Sequence, residues 1–150
     1  MNIRGQTGLT RAKQCQIESF LIKHKLDVLH LQEVHIDDDS FSTCNFICNS
    51  YNIIANNWDT KYGTASIVSS NYIAENVMLD SNGRVIVFDI GPLTLINMYL
   101  PSGTDSLSRN NRENYFSSVI PNLLVNRQDS GLLGGDLNCV INKLDCIKIN

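Results

Sequence analysis

Gly134-Gly135-Asp136-Leu137-Asn138 sets a carboxylate and a carboxamide two residues apart behind a pair of glycines. That pairing suits phosphate chemistry. A carboxylate can bind a metal ion or orient an attacking water, and a carboxamide can donate hydrogen bonds to a phosphoryl oxygen. The apolar Leu132-Leu133 before them reads as the end of a buried strand, which would deliver both groups to one rim of a sheet. Gly, Asp and Asn are also turn formers, so the run taken alone also reads as a turn.

Other polar groups fall at the ends of apolar runs. Glu33 follows Leu29 and Leu31 at period two, so it extends one face of a strand. A carboxylate there is costly to bury unless it is paired or holds a metal, and a lone one is ordinarily solvated. Tyr99 stands two residues before Pro101 in Asn97-Met98-Tyr99-Leu100-Pro101, as a half-buried aromatic or as a hydroxyl aimed at a ligand. Arg84 begins a strand and either packs its stem on the sheet or faces a backbone phosphate. His24, His30 and His35 match no catalytic position.

The elements that must position these groups follow from periodicity. Thr10 is a candidate N-cap for a helix to about Lys25, with Ile17, Phe20, Leu21 and Leu26 as its apolar stripe. Strands are expected at 28–32, 51–55, 63–69, 72–79, 84–90, 93–99 and 132–135, with a shorter one from Asn2 to Gly5. Gly91-Pro92 joins two of them as a hairpin. Asp37-Asp38-Asp39-Ser40 reads as a loop. A second helix starts at Ser108 or Asn110, with Tyr115, Phe116, Val119 and Ile120 on its apolar side, and Pro121 kinks or ends it. This order predicts mixed sheets with helices packed outside.

At 150 residues, 43% hydrophobic and 18% charged, the chain fits one globular domain. A net charge of −3 gives no global electrostatic case for nucleic acid, though a local basic rim with metal ions could still serve a nuclease. Five scattered cysteines favour reduced thiols in an intracellular protein over a disulfide framework. The spacings of Cys44 with Cys48 and of Cys139 with Cys146 fit zinc poorly. No signal peptide or membrane-spanning stretch is expected.

Taken in order, Asn2-x-Arg4-Gly5, Leu31-Gln32-Glu33, Tyr62-Gly63-Thr64-Ala65, Asn97-Met98-Tyr99-Leu100-Pro101 and Gly134 to Asn138 resemble the endonuclease/exonuclease/phosphatase superfamily. Within it the chain looks most like the apurinic-type endonuclease domain of LINE-like (non-LTR) retrotransposons. Leu137 stands where Phe is commoner, and Val34 where Thr is commoner. The resemblance spans nearly the whole chain. It implies an α/β, DNase I-like two-sheet sandwich flanked by helices, a single domain over 1–150 that lacks its C-terminal strands.

The resemblance also implies roles. Glu33 would bind Mg²⁺ or Mn²⁺, with Asn2 holding the metal or its waters. Tyr99 would hydrogen-bond the scissile phosphate, Asp136 would orient or deprotonate the water, and Asn138 would contact the phosphate and support Asp136. Arg84 and Asn97 are candidate substrate contacts. Oxygen-only ligands suit Mg²⁺ or Mn²⁺ over zinc. DNA is the implied substrate, with no membrane partner, and the location would be nuclear if the target is chromosomal. Family members carry a C-terminal Asp-His pair, usually after Ser, and no Ser-Asp-His occurs here. The expectation is therefore a weak or inactive metal-dependent DNA endonuclease. The alternative is a non-catalytic remnant of that fold that binds nucleic acid or protein, with a partner chain completing the sheet left open.

Overall fold

The computed structural model describes residues 1, 11–34, 50–58, 62–127 and 130–139. The elements are α1 (Arg11–His24), β1 (Val28–Gln32), β2 (Tyr51–Trp58), β3 (Tyr62–Ser69), β4 (Glu75–Leu79), β5 (Val85–Ile90), β6 (Leu93–Tyr99), α2 (Ser106–Asn114), a π-helical turn (Tyr115–Val119), α3 (Ile120–Leu123) and β7 (Gly131–Asp136). The expected strand at Asn2–Gly5, the cap at Thr10 and the loop at Asp37–Ser40 lie outside the described residues.

Two sheets form. One has the order β1-β3-β2, all antiparallel. The other has the order β4-β5-β6-β7, antiparallel except for the last pair. The parallel β6–β7 pair needs a crossover, and α2, the π turn and α3 supply it. Period-two alternation sorts the side chains into layers. Leu31, Ala65 and Ile67 pack with Ile17 and Leu21 of α1. On the other face of that sheet Val68 meets Ile86, Phe88 and Leu95 of the second sheet. The outer face of the second sheet, Val85, Val87, Ile96 and Met98, packs under Tyr115, Ile120 and Leu123.

Both helical stripes differ from expectation at one aromatic. Phe20 of α1 is exposed, and so is Phe116. The second case has a clear cause. Pro121 lacks an N–H and its ring crowds the preceding turn, so the helix widens before it, and the Ile120 N–H donates to the Tyr115 carbonyl five residues back. Tyr115 and Ile120 then share the buried face, five apart, and Phe116 rotates out. Pro121 thus shifts the phase of the helix without ending it.

The layer between the sheets is apolar at one end and polar at the other. Along β1 the inward residues run Val28, His30, Gln32. His30 Nδ1 lies 2.9 Å from Ser66 Oγ, and its ring meets Phe88 edge-on at 6.2 Å. Burial, and then the positive Met1 amine, push the His30 pKa down to about 4. Its native form is neutral, while in the unfolded chain it titrates near 6.5. Between these values only the unfolded chain takes the proton. Stability is therefore intact above pH 6.5 and falls as pH drops toward 4, by about 3 kcal/mol. Urea melts from pH 7 to pH 4 should show this fall, and His30→Gln should flatten it.

Gly135 holds β7 against β6. Its φ is +148°, and a Cβ there would sit 1.9 Å from the Met98 carbonyl oxygen. That obstacle is backbone and cannot rotate away. Gly135→Ala should cost about 3 kcal/mol through overlap and strain together, seen as a lower denaturation midpoint with an unchanged slope.

Candidate active site at three strand ends

β1, β6 and β7 deliver their C-terminal ends to one place. Tyr99 pairs in register with Asp136 across the parallel β6–β7 ladder, so the two residues are neighbours on one face. Glu33 reaches them from the other sheet, just past β1, and its Oε1 accepts a hydrogen bond from the Tyr99 hydroxyl at 2.9 Å. Asn138 completes the group. Its backbone N–H donates to Asp136 Oδ1 at 3.2 Å, and its Nδ2 donates to the Leu100 carbonyl at 2.8 Å. The first bond is an Asx turn that orients the carboxylate. The second ties the loop after β7 to the end of β6.

Glu33 and Asn138 both have left-handed backbones, with φ of +57° and +47°. Asn adopts this region readily. For Glu it costs about 1 kcal/mol and persists only where the surroundings enforce it. Here they do. Gln32 and Val34 on either side of Glu33 are buried, and the Val34 N–H donates to the Gly63 carbonyl at 3.1 Å. The chain is held at both neighbours, and Glu33 is turned between them toward Tyr99.

Tyr99 is clamped twice. Arg84 Nη1 donates to its carbonyl at 3.1 Å, and the guanidinium lies 5.3 Å from its ring centre. Arg84 is itself fixed through its backbone N–H, which donates to Asp80 Oδ1 at 2.8 Å. Asp80 also accepts from Val85 N, Asn56 Nδ2 and the Tyr115 hydroxyl, tying together strands of both sheets and the helical crossover. Burial, and then the Glu33 carboxylate, push the Tyr99 pKa up to about 12. At neutral pH the group is an intact O–H donor.

An open cleft of about 900 Å³ lies over these strand ends. Gln32, Asp136 and Asn138 line the cleft from the strand ends; Gly103, Thr104, Arg109 and Arg112 line it from α2 and the loop before it. Arg84 and Tyr99 also border a neighbouring polar hollow of about 470 Å³ with Asn82, Asn111 and Asn114.

The structure brings Glu33, Tyr99, Asp136 and Asn138 together. Asn2 lies outside the described residues. Arg84 is buried and touches the site through Tyr99. Asn97, expected at the substrate, is fully buried instead. Its Nδ2 donates to the Ala65 and Leu31 carbonyls at 2.8 and 3.2 Å, and its Oδ1 accepts from Gln32 Nε2 at 2.8 Å. It is an inward-facing residue of β6 that joins the two sheets. Gln32 was missed as a structural partner, although its place after His30 on the inward face of a buried strand was the signal. Arg109 and Arg112 carry no spacing that marks them.

No family model matches the chain. Solved structures do. An AP endonuclease from Archaeoglobus fulgidus matches at 20% identity and TM-score 0.72, over 92% of this chain and 56% of that one. The 3′ phosphatase NExo from Neisseria, bound to a product DNA hairpin, matches at 22% identity and TM-score 0.74, over 92% of this chain and 57% of its own. TDP2 from C. elegans matches at 22% identity and TM-score 0.62, over 93% and 47%. The chain spans about half the length of these structures. Its α/β two-sheet fold is the one they share.

Asn97→Leu keeps the volume but strands the Gln32 amide and two carbonyls in the interior. It should cost about 2–4 kcal/mol, read from chemical denaturation.

Proposed function

We propose that this chain carries the water- and metal-handling side of a metal-dependent phosphodiesterase site of endonuclease type, acting on DNA. One observation supports the reading above the others: Glu33, Tyr99 and Asp136 are brought together from three strand ends, with Tyr99 bonded to Glu33 and in register with Asp136. Three of the five blocks of sequence resemblance contain these positions, and the fold is shared with proteins that include one bound to a DNA product. The finer assignment, to the LINE-like retrotransposon branch and a nuclear setting, rests on those blocks.

The reaction would proceed by in-line attack of water on a phosphodiester. Asp136, aligned by its Asx turn, accepts the proton of the attacking water as the new P–O bond forms. The Tyr99 hydroxyl, un-ionised up to about pH 12, would turn its one proton from Glu33 toward the phosphoryl oxygens as their charge grows. Asn138 fixes the rim on which this happens. The donor chemistry fits a hard cation: Glu33 and Asp136 offer carboxylate oxygens, and Mg²⁺ characteristically takes one or two carboxylates and keeps its waters. Among the described residues no three His, Cys, Asp or Glu side chains gather around one point, so Glu33 and Asp136 would leave most of the ion's positions to water and phosphate oxygens. Glu33, with Asn2, would hold the ion, which when bound would neutralise charge on the phosphoryl group.

The leaving oxygen needs a proton, and here the described site is poorly equipped. His30 is enclosed between the sheets, His24 is on α1, and Tyr99 is a weak acid. Loss of the leaving group should therefore limit the rate. The chain should nick supercoiled plasmid slowly with Mg²⁺ or Mn²⁺ and stop with EDTA, and Asp136→Asn should lower the rate at least about 100-fold. A nitrophenyl nucleotide diester, whose leaving group needs no acid, should react disproportionately faster. Nicking that is indifferent to EDTA and to Asp136→Asn would refute the reading. DNA binding that survives EDTA without any turnover would favour a binding module.

A further inference from the structure

The cleft contains three cationic groups, and they differ in what they already hold. The Met1 amine donates to the His30 carbonyl at 2.6 Å and to Gln32 Oε1 at 2.9 Å. Arg112 Nη1 donates to the carbonyls of Pro101 and Gly103 at 2.7 and 3.0 Å, so it shapes the loop before α2. Arg109 is one turn earlier on the same helix face and is exposed to the same cleft. Its side chain makes no hydrogen bond or ion pair with any described residue.

The position of Arg109 is nonetheless well defined. Asp105 caps α2 by accepting from the Ser108 N–H at 2.9 Å and the Ser108 hydroxyl at 2.7 Å. Gly103 packs so closely on this cap that a Cβ would lie 2.6 Å from Ser108 Oγ. Cap, glycine and Arg112 together fix the start of the helix. The guanidinium of Arg109 thus stands in a cleft that also holds Asp136, yet it is not spent on an ion pair with it.

Building on the phosphodiesterase reading above, we propose that Arg109 binds a phosphate of the same DNA strand next to the one presented to Asp136. It would hold the polymer in register across the cleft. A guanidinium offers a planar, permanently charged fork for phosphate oxygens, and an adjacent phosphate is present only in a polynucleotide. Its contribution is to position the strand. It also supplies a local cation in a protein of net charge −3.

The test is the salt dependence of binding to a short fluorescein-labelled DNA duplex in Mg²⁺, followed by anisotropy. Arg109→Ala should weaken binding several-fold and lower the slope of log affinity against log salt by about one. Arg109→Lys should keep the slope. Lys23→Ala, which removes the same charge from the exposed side of α1, should leave both affinity and slope near wild type. Matching thermal melts for all variants would confirm that the fold is kept. Equal slopes for Arg109→Ala and wild type would overturn the assignment, as would equal losses for Arg109→Ala and Lys23→Ala. If the wild-type chain binds no DNA, the phosphodiesterase reading fails and takes this inference with it. If wild type binds but Arg109→Ala matches it, only the inference fails.

Discussion

The carboxamide bridge between Asn97 and Gln32 decides how the two sheets meet. Asn97 is on β6 of one sheet. Gln32, and the Leu31 and Ala65 carbonyls, belong to the other. All of these groups are in the interior, where an unsatisfied amide costs far more than a satisfied one gains. The sheets cannot slide by a residue without breaking all three bonds. One residue beyond Gln32 is Glu33, and two beyond Asn97 is Tyr99. The bond between those two side chains is the outer rung of the same inter-sheet ladder, at its partly buried end.

The remainder of the site follows from that alignment. The parallel pairing of β6 with β7 puts Asp136 beside Tyr99, and Gly135 allows the close approach the pairing needs. Glu33 accepts a left-handed backbone because its neighbours are anchored. This strain is local, small and located at the candidate chemistry, where backbone outliers concentrate. Rigid strand ends carry the carboxylates and the phenol. The cation-bearing part, the loop 101–105 and α2, is built separately and is fixed by its own cap and by Arg112.

Much of this was legible in the sequence. Apolar and β-favouring runs located the seven described strands, and Gly91-Pro92 marked the hairpin. Glu33, Tyr99, Asp136 and Asn138 stood out because a polar residue at the end of an apolar strand has to go somewhere. The failures have physical causes. Asn97 reads as a substrate contact in the sequence because period alone does not say how deep a polar residue lies. Its true partners are 32 and 66 residues away in sequence. Phe116 was placed on the buried stripe because a 3.6-residue period was assumed through Pro121, and the π turn changes it. Arg109 had no signal at all: the role proposed for it depends on its side chain having no partner among the described residues, which only coordinates reveal.

Glu33 and Asp136 are proposed to act on one phosphate, from either side of Tyr99. The most direct measurement is a crystal structure of the chain soaked with Mn²⁺ and a short DNA strand, using the manganese anomalous signal to place the ion. The account predicts a single ion on Glu33, with a DNA phosphate between it and Asp136. An ion bound elsewhere, or a DNA strand that avoids the Tyr99 and Asp136 strand ends, would contradict it.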